Sequence, residues 1–469
     1  MRFKNRRPCE MQPCAMRRPA RNYLPTRWGR LLILGVAACF SAGCVAHSNQ
    51  HLPESSVSTG DSAFLLVSAA LVMLMTPALA LFYGGLVRAK NVLSVIMQCF
   101  VALGVITLQW YLVGYSLSFA PSLVRIGEYG ILGSLNWFGG RGVGMTPYEP
   151  YSATIPHRLF MVYQCMFAVI TPALIAGAFA ERMKFSAYVL FILLWTTLVY
   201  DPVAHWVWSE NGWLKKIGSL DFAGGAVVHM TSGLTALVAA LMIGPRRGFP
   251  RTAFLPHSLV FTVFGAGLLW FGWFGFNGGS ALASGALATA AFVATHCGAA
   301  GGAVAWLLVD WLFKQKPTAL GFASGAVAGL VAITPASGYV GPLSAFVIGA
   351  VAGIVCSWVV SWRARAGIDD ALDAFGVHGV GGTLGALLTG VFASAWINPA
   401  IAGNEGLIHG GFRLIVTQLV AVVAVAAYTF LMSFIVLKAV DLTIGLRVPD
   451  EEEKMGLDLT EHGESAYSA

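Results

Sequence analysis

Eleven stretches of the sequence are each about as long as a bilayer crossing and contain few charged residues. A helix needs about 20 mostly apolar residues to cross the hydrocarbon core. The stretches, numbered here as spans 1 to 11, lie near residues 62–86, 91–119, 158–180, 185–207, 221–244, 257–276, 285–312, 318–334, 341–361, 372–396 and 411–438. This pattern predicts an all-α polytopic membrane protein with eleven transmembrane helices.

The composition agrees with a chain that lies mostly in lipid. Only 11% of the residues are charged and 57% are hydrophobic, whereas soluble domains carry about 25% charged residues. The net charge of +7 arises from a basic segment at 1–46, and the tail at 448–469 is acidic. No nucleic-acid-binding surface is therefore expected. The eight cysteines form no C-x-x-C pair, so neither a metal site nor a disulfide framework is predicted.

The N-terminus has the features of a targeting segment. Several arginines, the last of them Arg30, precede a short apolar run at 31–40 and small residues at 41–43. This order is typical of a signal peptide, predicted at 1–46, which would leave an external N-terminal segment at 47–61. Cys44, after Gly43, also resembles the end of a lipoprotein box, so cleavage nearby and lipidation of Cys44 both stay open.

The loops on the two sides of the spans differ in positive charge, which orients membrane helices. Fourteen Lys and Arg residues lie on the side reached after span 1, and six lie on the other side. The richer side is predicted to be cytoplasmic, with the mature N-terminus outside. The membrane domain is predicted at 62–440 and a cytoplasmic C-terminal tail at 441–469. Lys215 and Lys216 oppose this orientation locally.

In two spans an aspartate precedes a histidine by eight residues. Asp221 and His229 lie in span 5, and Asp370 and His378 lie at span 10. Eight helical residues advance about 12 Å, so each aspartate is expected near one membrane face and each histidine near the middle. The two spans enter from opposite sides, which predicts two inverted five-helix repeats with a site at their interface, plus one extra helix.

These residues also have structural interpretations. Asp221 and Asp373 are expected to cap helix N-termini, where a carboxylate accepts backbone N–H bonds. A histidine can be a packed core residue, but ionisable groups are costly in a bilayer and usually line a pathway. Two imidazoles can also ligate a haem, although the glycines after His378 favour close helix packing instead. No catalytic motif is found in the sequence, so neither an enzyme activity nor a cofactor is predicted.

Several strings of residues resemble the ammonium transporter and Rh family, and bacterial ammonium transporters most of all. The strings are ALFYGGLVRAKNVLS (80–94), GAFAERMKFSA (177–187), PVAHWVW (202–208), DFAGGAVVH (221–229), WFGFNGGS (273–280), FGVHGVGG (375–382) and the tail DLTIGLRVPDEEEKMGLDLTEHGESAY. They follow the family's order, and the resemblance covers about residues 61–469. It implies a homotrimer of eleven-helix subunits in the bacterial cytoplasmic membrane, each with its own pore between the inverted halves.

The resemblance also implies roles for individual residues. Trp208 and Ser280 match an external recruitment site, where an indole face attracts NH4+ and a hydroxyl accepts one of its hydrogens. Without the resemblance, Trp208 would be read as an interfacial aromatic residue. Tyr163 matches a neighbouring position that is usually Phe in the family. The other matches are Asp221 as a carboxylate near the mouth, Phe167 and Phe276 as a stacked gate, His229 and His378 as twin pore histidines, and Asp370 and Asp373 in a cytoplasmic vestibule.

The implied function is uptake of ammonium, with methylammonium as a related substrate. Moving a bare cation through an apolar pore is costly, and moving NH3 is much less so. NH4+ would therefore bind at the mouth and lose a proton, and NH3 would pass the histidines. A separate proton relay through the imidazoles would give net charge movement. Besides the lipid bilayer, the implied partner is a PII-type nitrogen-regulatory protein, docked on a tail that contacts neighbouring subunits.

Three alternatives stay open at this point. An electroneutral channel of the Rh kind would conduct NH3 or CO2. An ammonium sensor would signal through its tail and transport little. A membrane haem enzyme would use the two histidines as axial ligands.

Overall fold

The computed structural model describes residues 50–467. The predicted signal peptide with Cys44, and residues 47–49 of the external segment, lie outside the described residues. Within 50–467, ten helices are long and apolar enough to cross a membrane, and a shorter apolar helix, Ala319–Ile333, is span 8. The ten are Thr59–Leu86, Ala89–Phe119, His157–Phe179, Phe185–Trp208, Gly225–Ile243, Leu259–Ala281, Ala286–Lys314, Pro342–Arg365, Phe375–Phe392 and Phe412–Ile444. The prediction of a polytopic all-α membrane protein is thereby confirmed.

Polar side chains set where several spans begin. Ser58, Ser258 and Thr318 directly precede spans 1, 6 and 8, and each side chain accepts a hydrogen bond from the backbone N–H three residues later. Such N-caps pair one of the free N–H groups at a helix start. Span 8 has only 15 residues, so it is about 22 Å long and falls short of a hydrocarbon core of about 30 Å.

The spans pack as two related halves. Span 1 lies against span 6, and span 5 lies against span 10. These are the pairs that a two-fold relation between spans 1–5 and spans 6–10 brings together, so the inverted repeats have the predicted arrangement. Large apolar side chains such as Leu66, Phe264 and Phe313 point outward and are exposed. An apolar exterior of this kind suits lipid rather than water.

One end of the bundle, which we name the aromatic end, is formed by loops 120–156 and 209–224. It carries an antiparallel hairpin of β1 (Ser122–Ile126) and β2 (Tyr129–Gly133), and the short helix Trp213–Ile217. Aromatic rings pack together at this end, where Tyr148 of the long loop stacks on His157, the first residue of span 3, at 4.8 Å.

Short 3-10 helices in the described chain lie at Glu54–Ser56, Ala89–Asn91, Phe138–Gly140, Gly279–Ala281, Pro399–Ile401 and Leu407–His409.

The opposite end, which we name the basic end, is formed by loops 180–184, 244–258 and 366–374 and by the tail. The tail folds into helices Asp450–Met455 and Leu457–His462. Asn91 accepts a hydrogen bond from the N–H of Leu457 at 2.8 Å, and Asp458 accepts one from the N–H of Ser94 at 2.8 Å. The tail is therefore fixed to the start of span 2 of its own chain.

Candidate functional site

His229 and His378 meet where spans 5 and 10 cross. Their Nδ1 atoms are 3.3 Å apart, so one imidazole donates a hydrogen bond and the other accepts it. The rings stack with centroids 5.4 Å apart and planes inclined by 24°, and both side chains are buried. The structure thus brings together the two histidines that the equal spacing singles out.

Each histidine lies in the first turn of its helix, and in both helices that turn is a π-helix. The π turns are Gly225–Met230 and Phe375–Gly379, and regular α-helix follows each of them. A π turn holds an extra residue and is frequent at functional sites. Asp221 and Asp370 precede these helices rather than lying in them. The assumption that eight residues of regular helix separate each aspartate from its histidine is therefore wrong.

Two glycines allow spans 5 and 10 to cross closely beside the histidines. Gly233 lies one turn after His229, and a Cβ there would be 1.9 Å from the backbone nitrogen of Gly379. Gly382 has the equivalent position in span 10, and a Cβ there would be 2.8 Å from the carbonyl oxygen of Gly225. Any side chain at either position would collide with backbone. The two contacts are reciprocal, as a two-fold relation between the halves requires.

The histidines line a narrow cavity that is otherwise apolar. Its volume is about 10 Å³, close to the least space that a single water molecule needs. Nε2 of His229 is buried without a hydrogen-bond partner. The apolar walls include Leu79, Phe82, Ile170 and Leu269. The cavity suits a molecule of the size of ammonia and is far too small for a haem.

Asp221 caps span 5 at the aromatic end. Its carboxylate accepts hydrogen bonds from the N–H groups of Gly224, Gly225, Ala226 and Val227, at 2.8, 2.7, 2.7 and 3.3 Å. None of the ion pairs within residues 50–467 involves this carboxylate. The expected capping role is confirmed, and the negative charge is balanced by backbone dipoles alone.

Asp370, and not Asp373, caps span 10. Its carboxylate accepts hydrogen bonds from the N–H groups of Ala374 at 3.1 Å and Phe375 at 2.8 Å. Asp373 has a left-handed backbone with φ of 61°, and its side chain pairs with Arg363. The prediction that Asp373 is the cap is therefore wrong, because an arginine from span 9 takes that carboxylate. Burial raises the pKa of Asp370 to about 6, although Arg363 opposes the rise.

A cavity of about 300 Å³ at the aromatic end brings the predicted recruitment residues together. We name it the outer vestibule; Trp208, Ser280 and Asp221 all line it. The indole Nε1 of Trp208 donates to the main-chain oxygen of Asp221 at 3.0 Å, which fixes the ring beside the cap. Ser280 Oγ donates to the carbonyl oxygen of Phe276 at 2.8 Å, so its own oxygen remains able to accept.

Tyr163 supports Ser280 from behind the cavity wall. Its hydroxyl lies 3.0 and 2.9 Å from the carbonyl oxygens of Gly275 and Phe276, and 3.2 Å from Ser280 Oγ. The ring is fully buried. The hydroxyl that distinguishes this residue from the usual Phe is thus held by the backbone of span 6 and does not face the outer vestibule.

Phe167 and Phe276 separate the outer vestibule from the histidine cavity. Their ring centroids are 4.3 Å apart, with planes inclined by 39°. Phe167 meets Trp208 edge-on at 6.0 Å, and Phe276 lies 5.9 Å from the ring of His229. The rings therefore form a continuous row from the outer vestibule to the histidine pair.

Two polar residues in the cavities at the two ends of the molecule were not predicted from the sequence. Asp310 in span 7 pairs with Lys314 at 2.7 Å and lines a cavity of about 130 Å³ at the basic end, together with Asp373. Asp370 lies outside that lining. Gln164 in span 3 lines the outer vestibule. The sequence could have pointed to Asp310, since a carboxylate within an apolar stretch is costly and usually functional. Nothing in the sequence except its polarity points to Gln164.

Ion pairs hold the loops of the basic end together. Glu181 pairs with Arg88 at 2.7 Å and with Arg246 at 3.4 Å, and Arg246 pairs with Asp369 at 2.8 Å. Burial alone would raise the pKa of Glu181 and of Asp369, but these arginines outweigh it and hold both pKa values below the ordinary range. The network fixes the loop that carries the span 10 cap.

The chain was compared with known proteins in sequence and in structure. The sequence matches the family described as Ammonium Transporter Family over residues 63–467. It is 51% identical over 409 residues to a Bacillus subtilis (strain 168) protein named ammonium transporter, covering 87% of this chain and 98% of that protein. Among solved structures, Saccharomyces cerevisiae Mep2 has a TM-score of 0.78 at 37% identity, covering 87% of this chain and 97% of that one. A structure named Sensor Amt Protein has a TM-score of 0.78 at 28% identity, covering 86% and 98%.

Proposed function

This protein belongs to the ammonium transporter family, and we propose that it takes up ammonium across the bacterial cytoplasmic membrane. The observation that carries the proposal is the row of side chains leading from the outer vestibule through Phe167 and Phe276 to the paired histidines. The row has polar groups at its mouth, an apolar constriction below them, and a pore of one small molecule's width. This order suits a cation that can give up a proton on the way.

Recruitment takes place beside Trp208 in this proposal. The indole face attracts NH4+ by a cation–π interaction, and Ser280 Oγ accepts one of its hydrogens. The carboxylate of Asp221 is already saturated by four backbone N–H groups. The carboxylate therefore acts through its charge and not as a direct ligand, while the main-chain oxygen of Asp221 holds the indole.

The phenyl pair then selects for the neutral form. Passing between Phe167 and Phe276 removes water from the ion, and an unpaired ion in an apolar environment is costly. NH3 pays far less than NH4+, so the constriction favours loss of a proton above it. K+ has the same charge and no proton to lose, and it is therefore rejected.

The histidine pair offers one donor and one acceptor to the neutral molecule. Because a single hydrogen bond joins the two Nδ1 atoms, one neutral imidazole carries its proton on Nδ1 and the other on Nε2. One Nε2 is then an acceptor and the other a donor, and NH3 can bond to both. The same Nδ1–Nδ1 bond provides a step for a separate proton relay, which makes the transport electrogenic.

The basic end faces the cytoplasm in this proposal, because it collects most of the positive charge. The mature N-terminus is then outside and the tail inside. The folded tail offers a surface for a PII-type regulatory protein beside the loops that carry the span ends. By the resemblance to the family, the chains assemble as a homotrimer with one pore in each subunit.

The first test is a current recording from purified protein in liposomes after an ammonium concentration jump. We expect a transient current that grows with ammonium, does not appear with K+, and is lost in Asp221→Ala. The matched control is Glu128→Gln, which alters a carboxylate at the same end whose side chain is 72% exposed, and it should leave the current unchanged.

Other outcomes of the same recording point to the alternatives. Rapid alkalinisation of the liposome interior without current would identify a neutral NH3 channel of the Rh kind. Binding of ammonium with neither signal would identify a sensor. His229→Asp tests the role of the histidines: we expect current to persist and selectivity against K+ to be lost, and a variant that stays fully selective would contradict the paired-histidine mechanism.

A further inference from the structure

Lys215 and Lys216 are neighbours in the chain but have different surroundings. Lys216 pairs with Glu128 at 3.6 Å and is not among the residues that line the outer vestibule. Lys215 lines that vestibule, and its Nζ donates to the main-chain oxygen of Trp208 at 3.3 Å. Among the ion pairs of residues 50–467, none involves Lys215. A cation without a close counterion therefore lies at the mouth of a cation site.

The head group of Lys215 is chemically an alkylammonium ion. It has the same unit charge as NH4+ and donates from the same kind of N–H group. It already takes one acceptor of the vestibule wall, the carbonyl oxygen of Trp208. The Lys215 side chain is exposed. Partial desolvation by nearby protein atoms lowers its pKa, although the attraction of Glu210 opposes the change.

We infer that Lys215 is a tethered competitor of the substrate, and that it sets the ammonium concentration at which the outer vestibule is half-saturated. The inference rests on the proposed function. Lys215 and a recruited cation in one cavity carry like charges and repel each other. The lysine also occupies an acceptor of the cavity wall, the carbonyl oxygen of Trp208. Removing the charge is expected to lower the half-saturating concentration by about 3- to 10-fold.

The test measures ammonium-dependent current in liposomes for the parent protein, Lys215→Gln and Lys215→Glu. The matched control is Lys216→Gln, which removes a neighbouring charge outside the vestibule lining. Each protein is recorded at about 10 mM and about 150 mM salt, where charges are screened over about 30 Å and about 8 Å. We expect the half-saturating ammonium concentration to fall from the parent to Lys215→Gln and again to Lys215→Glu. Lys216→Gln should have the same value as the parent. Added salt should narrow the difference between Lys215→Gln and the parent.

A second readout separates this inference from the proposed function. Methylammonium binding to the same proteins in detergent is followed by the shift of the thermal unfolding midpoint, which needs no transport. Equal half-saturation of the parent, Lys215→Gln and Lys215→Glu would overturn the inference while leaving ammonium transport intact. Absence of current in the parent, with tighter methylammonium binding in Lys215→Gln, would overturn transport and retain the competitor. An equal effect in Lys216→Gln would show a general surface-charge effect and would also overturn it.

Discussion

The segments 221–229 and 370–378 are two versions of one local design, placed at opposite ends of the molecule. In each, a buried aspartate accepts backbone N–H bonds at the start of a helix whose first π turn carries a histidine. They differ in how the carboxylate is balanced. Asp221 has four backbone N–H bonds and no ion pair, whereas Asp370 has two such bonds and lies close enough to Arg363 for that arginine to oppose the rise of its pKa.

The difference between the two segments lies in how much positive charge stands near each carboxylate. Backbone dipoles carry only partial charges, so the negative charge at Asp221 favours a cation in the outer vestibule, where Lys215 opposes it. At the basic end an arginine already supplies that positive charge. One design thus leaves the aspartate without a close ion pair at the aromatic end and places it near an arginine at the basic end.

The largest expected effect comes from neutralising the two caps one at a time. Asp221→Asn should lower ammonium transport by about 100-fold or more, because it removes the negative charge of the cap and weakens charge-assisted bonds to backbone. Asp370→Asn should lower transport less than about 10-fold, since Arg363 and the neighbouring ion pairs remain. Initial ammonium-dependent currents in liposomes at equal protein density measure both. Equal losses of transport in the two variants would contradict the proposed difference in charge balance between the two caps.

The next prediction concerns the buried ion pairs of Glu181 and Asp369 at the basic end. Glu181 and Asp369 have pKa values below the ordinary range, so they stabilise the fold above the ordinary carboxyl pKa of about 4 and stop doing so as the pH falls through their lowered values. Thermal unfolding in detergent between about pH 7 and pH 3 should show this loss. Glu181→Gln should cost about 3 kcal/mol at neutral pH and flatten the acid dependence. Glu128→Gln at the aromatic end is the control, and an equal response there would contradict the contrast.

A third prediction tests whether the two crossings are equivalent in packing. Gly233→Ala and Gly382→Ala should each destabilise the protein by about 1–3 kcal/mol, because the added methyl group meets backbone of the facing span. Gly233→Ala should be the worse, since its Cβ would approach to 1.9 Å against 2.8 Å for Gly382. Gly267→Ala is the control, as a Cβ there meets nothing within 4 Å. If Gly233→Ala and Gly382→Ala unfold at the same temperature as Gly267→Ala, spans 5 and 10 can move apart at little cost.

The smallest effect is expected from Tyr163→Phe. The hydroxyl is bound to two backbone carbonyls and to Ser280 Oγ behind the vestibule wall, so its loss should change the half-saturating ammonium concentration by less than about 3-fold. Concentration series of the current measure this. A larger change would place Tyr163 among the residues that contact the ion and would make the aromatic end less rigid than described.

The spans and the contact between the two histidines were predictable, because both depend on features that are visible in the sequence itself. Apolar length alone locates the helices, and equal Asp–His spacing in two oppositely directed spans indicates a shared site. The residue that caps the start of span 10 was harder to predict. Asp369, Asp370 and Asp373 lie within five residues of one another. Arg246 from a distant loop pairs with Asp369, and Arg363 near the end of span 9 pairs with Asp373, which leaves Asp370 as the cap.

Other features left no signal in the sequence. A π turn and an α turn have the same apolar composition, so Gly225–Met230 and Phe375–Gly379 could not be told from regular helix. The place of Lys215 at the outer vestibule depends on how loop 209–224 folds back over Trp208. The contacts of the tail with span 2 join residues more than 360 positions apart.

Because of the π turns, the geometry of the site depends on the number of residues between each aspartate and its histidine. Each residue of an α-helix rotates the chain by about 100°, so one extra residue resets the angular phase between the cap before the turn and the helix after it. Deleting a single residue other than His229 from Gly225–Met230 would restore regular helix and turn Asp221 by more than a quarter of the circumference relative to span 5. The charge and the imidazole would both survive such a deletion, and they would no longer lie along the same path.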